Sequence, residues 1–223
     1  SFALKKRIGL RERSFLTEAV SSIRLGGIVR LVRRILIGTL IFETAGALLL
    51  ALRFCPVLGF WRGLWYGLFH AVSAFCNAGF DLMGVLGPYS SLTSFANDVV
   101  VNLTVITLIV VGGIGFVVWN DIRDKGLHFK NYDLHTKVIL TFTGVLILGS
   151  AILFFISESD ASMAGMGVPE RILASLFMAV TPRTAGFNTV DTAALSSAGS
   201  LLTMLLMFIG AAALQALTPP SWH

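Results

Sequence analysis

Apolar positions along the chain fall into long runs separated by short polar stretches. Four runs are long enough to cross a hydrocarbon core of about 30 Å at about 1.5 Å per helical residue. They are Ile35–Leu52, Val99–Trp119, Val138–Ile156 and Leu201–Leu217. The first holds a single acid, Glu43, and the third holds no charge. Two further apolar stretches, Leu64–Phe80 and Ile172–Phe187, are shorter and interrupted by polar residues and glycine. They read as re-entrant: helix down to mid-membrane, then loop back to the side of entry. The expected organisation is a basic cytoplasmic segment and interfacial helix (1–34), then a span–re-entrant loop–span unit (35–119). A cytoplasmic loop (120–137), a second such unit (138–217) and an atypical tail (218–223) follow.

Composition supports a membrane setting. Of 223 residues, 55% are hydrophobic and 13% charged, where a soluble domain carries about 25% charged residues. The net charge of +5 does not read as a nucleic-acid surface, because lysine and arginine avoid the apolar runs. With the N-terminus cytoplasmic, the basic residues before Ile35 and those from Arg123 to Lys137 fall inside. Only Arg53, Arg62, Arg171 and Arg183 fall outside, a bias of thirteen to four toward the cytoplasm. Arg24–Arg34, interleaved with Leu25, Ile28, Val29, Leu31 and Val32, reads as an interfacial helix. Cys55 and Cys76 have neither metal-ligand spacing nor a disulfide framework, and read as small apolar residues. The chain opens on Ser1 without a signal peptide, so it reads as an excerpt of something longer.

The two units share sequence as well as order. The first reads Leu68-Phe69-His70-Ala71-Val72-Ser73, then Cys76-Asn77-Ala78-Gly79-Phe80-Asp81. The second reads Leu176-Phe177-Met178-Ala179-Val180-Thr181, then Arg183-Thr184-Ala185-Gly186-Phe187-Asn188, one residue shorter before Ala-Gly-Phe. Two spans per unit give both copies the same orientation, so the repeat is parallel about an axis along the membrane normal. Such a repeat builds a central pathway, at whose middle the partly negative C-termini of the short helices aim. Non-helical backbone survives at that depth only when buried in protein or lining a wet cavity. Gly79 and Gly186 can take the positive φ that turns carbonyls toward one axis, where they replace the hydration shell of an alkali cation. A single Ala-Gly-Phe would read as a helix C-cap; its recurrence between matching spans carries the specificity.

Ser73–Leu82 and Thr181–Thr189 resemble two filter segments of the Trk/Ktr/HKT superfamily of potassium transporters. Gly9–Arg13, Gly26–Arg30, Gly112–Phe116 and Met207–Gly210 are similar to stretches around those filters, most like the Ktr branch. The resemblance extends to about Ala211. It implies the second and third of four units around one pore, half of a pseudo-four-fold fold. It also implies that backbone carbonyls of Asn77, Ala78, Gly79 and Phe80, with those of Thr184, Ala185, Gly186 and Phe187, bind potassium. Cys76, Asp81, Arg183 and Asn188 then support the filter. Glycine at both key positions resembles potassium-preferring members. The resemblance further implies an inner-membrane homodimer, gated by a cytosolic nucleotide-binding (RCK-type) ring docked on loops such as Asp121–Asp133, with sodium as a candidate coupling ion. One departure stands out: after Gly210 the Ser/Gly-rich gate of the family is replaced by Ala211–His223. The expectation is a truncated, frame-shifted or excerpted reading, so that transport belongs to the parent protein.

Other polar residues invite weaker readings. Glu43 is expected to be a buried structural acid, and His70 a packed, hydrogen-bonded histidine with no transition-metal site around it. Asp81 and Asp191 are candidates for concentrating cations at the outer mouth, and Asn102 for a helix–helix contact. Alternatives to potassium uptake are a sodium-permeable transporter of the same superfamily and an ion-coupled solute carrier, which predicts inverted repeats. An aquaporin-like channel needs Asn-Pro-Ala at its half-helix tips, which is absent. An intramembrane enzyme needs a nucleophile and base or paired acids, and only Glu43 lies in the spans.

Overall fold

Helix α1 runs without interruption from Leu10 to Leu58 in the computed structural model, which describes residues 10–87, 90–126, 128–183 and 185–217. Thr184, the first nine residues of the basic segment and the tail 218–223 lie outside the described residues. The separate interfacial helix expected before Ile35 is instead continuous with the first span. Gly26 and Gly27 each cost a helix about 1 kcal/mol, too little to break one extended by a long apolar run. The chain divides into two compact units, Ser1–Ile41 and Phe42–His223. The first is helical where described, and all elements after α1 lie in the second.

Gly59, at φ +85°, turns the chain from α1 into α2 (Phe60–Phe75). Helix α2 then returns along α1 through Gly63 and Gly67, a small-xxx-small pair of the kind that lets membrane helices touch backbone to backbone. A Cβ at Gly63 would lie 2.5 Å from the backbone nitrogen of Cys55, and one at Gly67 2.8 Å from the carbonyl oxygen of Ala47. Helix α3 (Val99–Gly113) packs on α2 at Gly112, where a Cβ would overlap the carbonyl oxygen of Phe75 at the end of α2.

The expected single span Val99–Trp119 is two helices. Gly115 takes φ +85° and the chain bends by 95° into α4 (Phe116–Lys125). Trp119 donates from Nε1 to the Val111 carbonyl (2.9 Å) across the bend, satisfying one orphan acceptor. Within the expected loop 120–137, α4 runs on to Lys125 and the next helix begins at Leu134. Lys125 reaches Asp121 and Asp133 at 2.6 Å each, and the Asp133 amide donates to Asp121 Oδ2 (2.8 Å), tying α4 to the start of α5 (Leu134–Ser157).

Helix α6 (Val168–Val180) packs on α5, and a 3-10 turn at Thr181–Arg183 follows it. Helix α7 (Ser197–Leu217) closes the order. No strand occurs among the described residues. Leu50, Phe54, Met83, Val105, Phe177 and Phe187 anchor one buried cluster, and Phe154, Met163, Met178 and Leu206 a second. By length and composition, two stretches among the described residues qualify as membrane spans, Val32–Leu58 and Leu134–Ser157, and a third if bent α3–α4 counts as one. Of the four expected runs, that at Leu201–Leu217 lies in α7, a helix of 21 residues that is apolar over Ser197–Gly210. Leu48, Val145, Leu148, Ile152 and Phe208 point outward, an apolar exterior suited to acyl chains.

Both long helices are tied to the helix that closes their half, with different chemistry. Arg53 near the end of α1 binds Asp98 (2.6 Å), whose other oxygen caps α3 through the amides of Val100 (3.0 Å) and Val101 (3.2 Å). Asn102 donates to the carbonyls of Phe95, Ala96 and Asp98, so it holds the turn entering α3 rather than a helix–helix contact. Glu158, just past α5, is wholly buried. It accepts from the Ser162 hydroxyl (2.7 Å), the Ser196 amide (3.2 Å) and the Ser196 hydroxyl, which also receives the Gly199 amide at the start of α7 (3.0 Å). Desolvation pushes the Glu158 carboxyl up, but the donors of Ser196 and Ser162 outweigh it and hold the group below its ordinary pKa. The carboxylate therefore stabilises the fold fully at neutral pH, and that contribution is lost as pH falls through the depressed value.

Two outcomes follow from this packing. Gly112→Ala forces apart α2 and α3 and costs about 2 kcal/mol, whereas Gly144→Ala, with nothing within 4 Å of its Cβ position, leaves thermal stability unchanged or higher; melting of the purified protein in detergent separates them. Glu158→Gln puts an amide donor among donors and costs about 2 kcal/mol, read as a lowered melting temperature at pH 7 that Gly144→Ala does not show.

Candidate functional site

The short helices α2 and α6 each end in a loop. At the end of α2 the Asn77 amide donates to the Ala74 carbonyl (3.1 Å) and the Ala78 amide to the Ser73 carbonyl (2.9 Å). Asn77 sits at φ +52°. These are the paired bonds and left-handed residue of a Schellman cap. Asn77 thus ends the helix, and Gly79, at φ +71°, is free for another role. After α6 the 3-10 turn replaces that cap: the amides of Ala185 (3.0 Å) and Gly186 (3.2 Å) both donate to the Thr181 carbonyl. Gly186 then takes φ +82°. Two ways of ending a helix account for the one-residue difference between the sequences.

The two loops meet at their glycines. A Cβ on Gly79 would overlap the Ala185 carbonyl oxygen and lie 3.0 Å from the Gly186 Cα; one on Gly186 would lie 3.6 Å from the Gly79 Cα. Each loop is anchored by a hydroxyl from its own helix end. Ser73 Oγ donates to the Phe80 carbonyl (2.7 Å) and Thr181 Oγ1 to the Phe187 carbonyl (2.5 Å). A third anchor crosses between halves: the Asn188 amide donates to Ser91 Oγ (3.2 Å) and the Leu92 amide to the Asn188 carbonyl (2.9 Å).

Around this meeting point the predicted residues divide. Cys76, Ala78, Phe80 and Gly186 are exposed, Asn77, Gly79, Asp81, Arg183 and Asn188 half-buried, and Ala185 and Phe187 buried. Asp81 and Asp191 each accept an amide two residues on, from Met83 (3.1 Å) and Ala193 (2.9 Å), which spends one carboxylate oxygen on a turn. The backbone of Arg183 abuts Gly210 of α7, whose Cβ position lies 2.8 Å from the Arg183 carbonyl oxygen. That contact mirrors Gly112 against Phe75. His70 is wholly buried, with Nδ1 on the Tyr66 carbonyl (2.7 Å) and Nε2 facing the Leu82 amide (3.4 Å), and it lies 6.1 Å from the Phe187 ring. A carbonyl accepts only, so Nδ1 carries the proton. Both cysteines are free thiols. Glu43 is half-buried rather than the buried acid expected.

The hydroxyls of Ser73 and Thr181 were not among the expected site residues, although each closes one of the two matching hexapeptides. That shared position was the available signal.

A family model of the TrkH cation transport proteins matches residues 4–215. The chain belongs to that family. It is a family of transporters, not of enzymes. The chain is 41% identical over 207 residues to the potassium/sodium uptake protein NtpJ of Enterococcus hirae, covering 92% of this chain and 45% of that protein. It is 40% identical over 210 residues to the Ktr system potassium uptake protein B of Bacillus subtilis (93% and 46%) and 32% over 211 residues to protein D of the same organism's Ktr system (92% and 46%). The chain spans about half the length of these relatives.

The TrkH-family chain carries its two glycines under unequal constraint. Gly79→Ala and Gly186→Ala each place a side chain at positive φ, costing about 1–2 kcal/mol, but only Gly79→Ala also collides with backbone. The melting temperature is expected to fall further for Gly79→Ala; equal shifts would contradict the packing of the loops.

Proposed function

We propose that this TrkH-family chain supplies two filter segments of a Trk/Ktr-type permease that takes up potassium across the cell membrane. The observation that carries the reading is the meeting of two backbone loops at positive-φ glycines, each at the end of a short apolar helix. Main-chain oxygens are neutral, closely spaced acceptors. They can replace the water shell of a monovalent cation without the tight binding that a carboxylate would impose. In this reading the carbonyls of Asn77, Ala78, Gly79 and Phe80 line one side, and those of Thr184, Ala185, Gly186 and Phe187 the next. Cys76, Asp81, Arg183 and Asn188 hold the loops in place.

The proposed architecture is two parallel span–re-entrant loop–span units with the N-terminus cytoplasmic. The names of the B and D proteins assign both to a Ktr system, which supports a multi-component assembly here: a homodimer of transport subunits and a cytosolic nucleotide-binding ring. One observation favours a second reading, sodium permeation beside potassium, since the similar NtpJ protein is named for both ions.

Rubidium uptake by cells that lack other potassium uptake, expressing the complete subunit, tests the assignment. Gly79→Ser and Gly186→Ser are each expected to lower rubidium uptake at least tenfold, or to raise sodium competition, at normal protein levels. Unchanged uptake and selectivity in both variants would refute the filter. Sodium competing equally in the unaltered protein would favour the second reading.

A further inference from the structure

Two buried hydroxyls, in the same place in both halves, hold the same carbonyl. Ser73 and Thr181 are 6% and 8% exposed. Each donates to the carbonyl of the phenylalanine that follows its Ala-Gly, across seven residues in one half and six in the other. The acceptor is unambiguous, because a carbonyl has no proton to give. We propose that Ser73 and Thr181 are positioning residues for a monovalent cation, fixing the peptide planes at Phe80 and Phe187 and so the direction of the carbonyls before them. The proposal rests on the reading of the two loops as filter segments.

Ring packing cannot be the common cause. The Phe187 ring is wholly buried, next to His70, whereas the Phe80 ring is 70% exposed. In spite of this difference the two carbonyls are bonded alike. The bond closes a ring of backbone from the helix end, through the positive-φ glycine, to the phenylalanine. Within that ring the glycine is the softest residue. Without the bond, the carbonyl is left to find another donor, and the glycine has the freedom to rotate with it. One lone pair of each phenylalanine carbonyl is thereby engaged. The second lone pair of that carbonyl, and the oxygens of Ala78, Gly79, Ala185 and Gly186, are left to meet the ion.

The test uses the complete subunit in cells, with rubidium uptake measured against sodium competition, and protein amount and melting temperature measured alongside. Ser73→Ala and Thr181→Val remove the hydroxyl, while Ser73→Thr and Thr181→Ser keep it. The hydroxyl-free variants are expected to lose about fivefold in rubidium-over-sodium discrimination, the size of one hydrogen bond. The hydroxyl-bearing variants keep wild-type discrimination. A merely structural role would lower protein amount or melting temperature and leave the discrimination of the surviving protein intact, and that result would overturn the proposal. Where a hydroxyl-free chain does not accumulate, Ser73→Cys and Thr181→Cys, with a weak donor of similar size, carry the same comparison. Gly79→Ser, run in parallel, separates the two claims. Sensitive glycines with insensitive hydroxyls refute only the positioning role, whereas insensitive glycines refute the filter and with it this inference.

Discussion

A polypeptide that leaves helical geometry inside a membrane protein must find partners for every amide and carbonyl it frees, and this requirement organises the centre of the molecule. At the end of α2 the freed amides return to Ser73 and Ala74, and at the end of α6 to Thr181. Beyond them, a side-chain hydroxyl takes the phenylalanine carbonyl in each loop. The positive-φ glycines lie between these bonds, and they are where the loops touch. Replacing either glycine adds bulk in the left-handed region; removing either hydroxyl frees a carbonyl acceptor, a buried one in the second loop. The same few bonds that let the chain fold back therefore determine what it presents to an ion in the proposed filter.

The surrounding helices serve that arrangement through close approach. Gly63 and Gly67 set α2 against α1, Gly112 sets α3 against the tip of α2, and Gly210 sets α7 against Arg183. Each half also ties its long first helix to the cap of its last, by Arg53–Asp98 in one and Glu158–Ser196 in the other. The two ties are chemically unrelated, an ion pair and a buried carboxylate among hydroxyl and amide donors. What they share is position, at the point where the chain enters the closing helix.

Much of this was legible from residues alone, because the informative signals were local. Apolar runs marked the helices, and the recurrence of Ala-Gly-Phe after matched apolar hexapeptides marked the two loops. Other features escaped for definite reasons. Hydropathy treats Gly112-Gly113-Ile114-Gly115 as part of one apolar run, yet the positive φ of Gly115 turns the chain there. Asn77 rather than Gly79 ends α2, since asparagine tolerates the left-handed region and the two residues cannot be ranked by type. Glu158 reads as a loop acid beyond a span, and its burial depends on Ser196, 38 residues away.

The central claim concerns what occupies the space where Gly79 meets Gly186, and a high-resolution density map of the complete subunit, collected in rubidium and again in a non-permeant cation, tests it most directly. The account predicts discrete density in rubidium, ringed by backbone oxygens of residues 77–80 and 184–187, that weakens in the other salt. Two uninterrupted helices through those residues, or loops with no cation-sized density in either salt, would contradict it.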